Sequence, residues 1–125
     1  MNFKGAKFYE INPIAKPRQT QRDKWMKRPC VVRYRAFADE VRAQKVKLPL
    51  SGAHVIFILP LPKSYSKKKQ KALLMQEHTI RPDLDNLFKS LADACYTDDS
   101  GIWDVRLTKL WGVNGGFYVR QNNDK

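Results

Sequence analysis

Asp83, Asp85 and Asp99, with Lys89 between them, are the residues of this chain whose types and spacing suit chemistry on a phosphate. They lie in the run Arg81-Pro-Asp-Leu-Asp-Asn-Leu-Phe-Lys89 and in the later pair Asp98-Asp99. Mg²⁺ takes oxygen ligands, usually one or two carboxylates with water and phosphate completing the shell. Asp83 and Asp85, with Asp99 returning from a later loop, supply such a set. Pro82 biases Arg81 towards an extended backbone, so the chain passes from extended to helical across the two aspartates, and a helix N-terminus helps keep them ionised. Lys89 falls one turn beyond Asp85, where an ammonium can meet a phosphate or stabilise a departing oxygen. The bland alternative is a helix cap, a surface Asp85–Lys89 pair and a plain turn at Asp98-Asp99. An EF-hand is excluded, because Leu87 and Phe88 stand where that loop needs a ligand and a glycine.

The elements that must position these residues follow from periodicity. Leu84, Leu87, Phe88, Leu91, Ala92 and Cys95 share one side of a predicted helix over 84–95, with Asp85, Lys89 and Asp93 on the other. Earlier segments are a short strand over 8–12, a Pro-punctuated basic loop over 13–24, an amphipathic helix over 31–45 and a buried strand over 54–61. A Lys-rich helix over 66–76 has Ser66 as its N-cap. After the turn 97–101 come strands over 102–111 and 116–120, which the Asn114-Gly115 dipeptide joins as a hairpin. The expectation is one domain over 1–125, of mixed α/β (α+β) class, with a mixed sheet flanked by helices.

Composition limits the partners. The formal charge is +12 and the pI near 9.9, which points to a polyanion. Residues 1–76 hold 18 of the 24 Lys and Arg but only 4 of the 12 Asp and Glu, a balance of +14, whereas 77–125 balance at −2. Acids concentrated in one part of a nucleic-acid binder repel phosphate, so they need a chemical reason. No apolar run suits a membrane span and no signal peptide stands out; a cytoplasmic protein with free, buried Cys30 and Cys95 is expected. The cysteines and histidines lack zinc-site spacing.

The run 81–89, followed by Tyr96-Thr-Asp-Asp99 and Trp103-Asp-Val-Arg106, resembles the core motif of the RusA family of Holliday-junction resolvases. The resemblance is close over 81–109 and weaker in the strand, basic loop and helix before it. It implies a dimeric, often phage- or prophage-encoded endonuclease of a bacterial host that uses Mg²⁺, or Mn²⁺ in its place, to resolve four-way junctions by paired nicks in recombination and repair. Asp83 and Asp85 then match paired metal-binding aspartates, Asp99 the third carboxylate, and Lys89 a catalytic lysine. Asp98 adjoins Asp99 and could exchange roles with it; Asp99 is preferred. The implied reaction is in-line attack of water on the phosphodiester, with no covalent intermediate and no nucleotide cofactor.

For DNA contact the candidates are Arg81, Lys67, Lys68 and Lys69, with Lys71 beside them, and Arg18 and Arg22 in the basic loop, with Lys24, Lys27 and Arg28 after them. His54 and His78 are read as structural. Trp25, Trp103 and Trp111 can stack on exposed bases, although core packing is expected of the last two. Two alternatives stay open: a related metal-dependent nuclease acting on other branched DNA or on RNA, and a non-catalytic DNA-binding protein whose acids are structural.

Overall fold

Ser51–Pro60 is a ten-residue run without a charged side chain, and residues 53–59 are all buried. A strand buried on both faces belongs in the middle of a sheet. The computed structural model describes residues 3–17 and 29–121, and places this strand there. In chain order the elements are β1 (Lys7–Tyr9), α1 (Pro29–Ala43), β2 (Ser51–Pro60), α2 (Lys67–Leu73), α3 (Leu84–Cys95), a 3₁₀ turn (Asp99–Gly101), β3 (Asp104–Gly112) and β4 (Gly116–Gln121). The four strands form an open mixed sheet in the order β1-β4-β2-β3. β2 runs parallel to β3, from Ser51 opposite Asp104 to Pro60 opposite Gly112, and antiparallel to β4.

That order overturns the expected hairpin, because β2 lies between β3 and β4. A two-residue type I′ hairpin needs positive φ at both turn residues, and neither Asn114 nor Gly115 has it. Gly115 serves close approach instead. A Cβ there would fall 1.9 Å from Asn12 Oδ1 and 3.3 Å from Pro60 Cδ, as the link crosses the end of β2. The bulge opposite Ser51/Ala53 does use left-handed backbone, at Gly52 with φ 73°.

α1 and α3 pack on each other and on one face of the sheet. Val55, Phe57 and Leu59 of β2, Phe37 and Val41 of α1, Leu87 and Leu91 of α3, and Phe117 of β4 share that core. Ile56, Ile58 and Leu110 form a smaller cluster on the other face, with Phe3 and Tyr118 against it. α3 has the predicted limits. α2 is shorter than expected because Met75 turns out of the helix with φ 61° and the chain then bonds along the edge of β3, through Met75 N to Trp111 O and Trp111 N to Gln76 O. Cys30 and Cys95 are free and half-buried. No helix among the described residues is long and apolar enough to cross a membrane.

The packing of β1 on β4 depends on Gly116, where a Cβ would stand 2.4 Å from Phe8 Cζ and 2.6 Å from the carbonyl oxygen of Tyr9. Gly116→Ala should lower the unfolding free energy by about 1–3 kcal/mol through this overpacking. An unchanged urea midpoint would show that β1 gives way at no cost.

Candidate functional site

The rotation of α3 is set by what it buries. Leu87, Ser90, Leu91, Ala92 and Ala94 face the core, so Asp85, Lys89 and Asp93 come to the outer side. Asp83 occupies the N-cap position, with φ −68° and ψ 141°, yet its side chain makes no cap hydrogen bond. Its carboxylate is exposed, as is that of Asp85, and neither meets a hydrogen-bond or ion-pair partner among the described residues. Lys89 is likewise exposed and makes no ion pair with Asp85 there. Helix capping and a surface pair, the two structural roles open to these groups, are therefore not the ones they fill.

Asp93 differs. It takes the Lys16 ammonium at 2.5 Å and the Tyr34 hydroxyl at 3.2 Å. Lys16 also donates its backbone N–H to Asn86 O, so the segment after β1 is strapped along α3. The hydrogen bond to Asp93 raises the Lys16 pKa above its ordinary value; burial, reinforced by Asp93, raises that of Tyr34.

In the turn after α3 the adjacent acids divide their roles. Asp98 accepts the N–H of Ser100 at 3.0 Å and caps the 3₁₀ turn, and that hydrogen bond holds its pKa below the usual carboxylate value. Asp99 stands exposed as the first residue of the turn. It is not beside Asp83. Trp103 N bonds Leu50 O, which fixes the turn at the Ser51/Asp104 end of the sheet, whereas Asp83 lies by Lys109, five residues further along β3 and roughly 17 Å away at strand spacing. Among the described residues no three His, Cys, Asp or Glu side chains assemble into a metal site. Asp83 and Asp85 fit a hard cation that needs only one or two protein carboxylates; Asp99 of the same chain does not join them.

Lys109 was not among the expected site residues. Its ammonium donates to the carbonyls of Ile80 at 2.5 Å and Pro82 at 2.7 Å, and so holds the cis Arg81–Pro82 segment that leads into Asp83. Burial lowers its pKa, while Asp83 acts in the opposite sense. A signal existed: Lys109 breaks the inward-facing phase Val105, Leu107, Lys109, Trp111 of β3.

Among the DNA-contact candidates, Arg81, Lys67, Lys68, Lys69 and Lys71 are exposed. α2 is capped by Ser66, which accepts from Lys69 N, and Lys69 Nζ lies 3.8 Å from the Tyr65 ring centroid. Arg18, Arg22, Lys24, Trp25, Lys27 and Arg28 lie outside the described residues. Trp111 is buried as expected, but Trp103, just before the edge strand β3, is 76% exposed. Burial pushes the Cys95 thiol pKa up to about 11.

With the geometry established, comparison with known proteins gives the family. Residues 10–120 match the model described as Endodeoxyribonuclease RusA, and the chain belongs to that family. No curated protein and no solved structure matches it. Membership makes it an endodeoxyribonuclease of a family that acts at Holliday junctions.

Both histidines are buried. His54 pairs with Thr108 Oγ1 at 2.9 Å, and His78 packs on Trp111 with its Nδ1 unpartnered among the described residues. Burial first, then Arg106 and Arg120 for His54 and Lys109 for His78, lowers both pKa values from 6.5. A depressed folded pKa contributes stability that is present above pH 6.5 and lost as pH falls through the folded values. The melting temperature should thus drop between pH 7 and 5, and less so in His54→Gln; an equal drop in the variant would remove His54 as a cause.

Proposed function

We propose that this chain is a metal-dependent endonuclease that resolves four-way DNA junctions as a homodimer, with Asp83 and Asp85 holding Mg²⁺, for which Mn²⁺ can substitute. The observation that carries this reading is the N-cap aspartate that does not cap: Asp83 leaves its carboxylate in solvent beside that of Asp85, at the positive end of α3. When bound, the cation supplies charge to the scissile phosphate and acidity to water.

The chain's own groups do the rest. Lys109 keeps the segment before Asp83 in place through two carbonyls. Arg81 and Lys89 flank the carboxylates in sequence, and both are free to meet phosphate oxygens, Lys89 stabilising the departing one. Lys67, Lys68, Lys69 and Lys71 supply sequence-independent contacts to the backbone of a junction arm, as do Arg18 and Arg22 in this reading.

Paired nicks related by the junction's symmetry call for two sites related by a two-fold axis, which a C₂ dimer provides. The dimer also supplies what one chain lacks, since Asp99 of the partner subunit can complete the Asp83–Asp85 pair. This reading is supported by the separation of Asp99 from that pair within one chain.

Asp83→Asn and Asp99→Asn should each be inactive on a labelled four-way junction, yet mixed and refolded together they should regain nicking. A mixed dimer holds one site built from Asp83 of one chain and Asp99 of the other, so random mixing restores about a quarter of wild-type sites. A mixture as inactive as its parts would place all three aspartates within one chain. Symmetric paired cuts on the junction and none on a flap support resolvase action; equal cutting of the flap would widen the substrate to branched DNA in general.

A further inference from the structure

β3 is an edge strand of the sheet, and only half of that edge is covered. His78 N bonds Lys109 O, and Met75 N and Gln76 O bond Trp111, so the outward backbone groups of β3 are those of its odd-numbered residues. By the two-residue period of a strand, the backbone N–H and C=O groups of Val105 and Leu107 face that edge as well, while their side chains pack on the core, and among the described residues these backbone groups have no partner. An open edge of this kind is a template for another strand.

We propose that the occupant is a second copy of this chain, paired antiparallel to itself along β3 with Arg106 on the two-fold axis. The proposal rests on the homodimer reading above and adds the surface. With Arg106 opposite its own copy, Val105 of each chain exchanges two backbone hydrogen bonds with Leu107 of the other, four in all. The two four-stranded sheets become one of eight.

Both ends of the edge fit this pairing. Trp103, 76% exposed, lies at one end, and Ile80, 55% exposed, at the other beside Lys109. The backbone pairing ends at Asp104 opposite Thr108, because His78 holds the edge at Lys109 and Trp103 N turns inward to Leu50 O, so Trp103 of each copy leaves the sheet next to the partner's Ile80. The Asp98-Asp99 turn of one copy comes to the end of the other that carries Asp83 and Asp85 beside Arg81 and Lys109, so acids of both copies converge there as the shared metal site requires. On the opposite face Arg106 and Asp104, both exposed, become diagonal cross-strand neighbours within reach of a long side chain, which offsets the pairing of the two Arg106 residues.

Arg106 would form a non-hydrogen-bonded antiparallel pair, with Cα atoms about 4.5 Å apart, inside the range that a disulfide bridges. Under mild oxidation Arg106→Cys should become a covalent dimer of twice the 14.6 kDa chain mass, whereas Thr108→Cys, off the axis, should cross-link no more than wild type. Val105→Pro removes an outward N–H and exchanges a half-buried side chain at the margin of the core for a smaller ring, so it should keep the wild-type circular dichroism, melt a little lower and lose the dimer in light scattering. A wild-type monomer, a folded Val105→Pro that remains a dimer, or Arg106→Cys that cross-links no faster than Thr108→Cys overturns the proposal. The nuclease reading is separable: a dimer through another surface with intact junction cleavage sinks only this interface, and a cross-linked Arg106→Cys in a chain that never cuts DNA sinks only the nuclease.

Discussion

The burial of one face of α3 is the constraint on which the site depends. Leu87 and Leu91 have essentially no exposure, and Ser90 between them is closed off as well. A helix so fixed on the sheet cannot turn about its axis without opening the core, so its opposite side stays in solvent. Asp85, Lys89 and Asp93 are on that side by helical arithmetic. Asp93 ties down the chain after β1, whereas Asp85 and Lys89 stay exposed without an ion pair among the described residues.

The sheet supplies the other half. β2 lies between a parallel and an antiparallel neighbour, so the chain entering α3 must cross beside β3, and Lys109 meets it there. The carbonyls of Ile80 and Pro82 would otherwise face solvent or each other just before Asp83. An ammonium that takes both fixes the approach of the motif without consuming either carboxylate. The positive charge of Lys109 also lies near Asp83.

Much of this could be read from residues alone. The limits of α3 follow from its apolar spacing, and the Asp83–Asp85–Lys89 pattern from the same period. The order of the strands could not be read, because Asn114-Gly115 carries a strong local hairpin signal while the deciding fact is tertiary. The long apolar β2 must be covered on both edges, and β4 satisfies that by crossing to its far side. Trp103 misled for a related reason: a tryptophan at a strand start reads as core, but its exposure depends on what lies across an uncovered edge. The distance between Asp99 and Asp83 was equally hidden, since sequence proximity across a helix of twelve residues hides about 18 Å of length.

The central claim is that Asp83 serves chemistry and not folding or DNA binding. The most direct measurement compares wild type with Asp83→Asn on one labelled four-way junction, following binding without metal and cleavage with Mg²⁺ or Mn²⁺. The account predicts equal binding, nicking by wild type once metal is added, and no nicking by the variant. Cleavage by Asp83→Asn at the wild-type rate, or binding by both proteins with cleavage by neither, would contradict it.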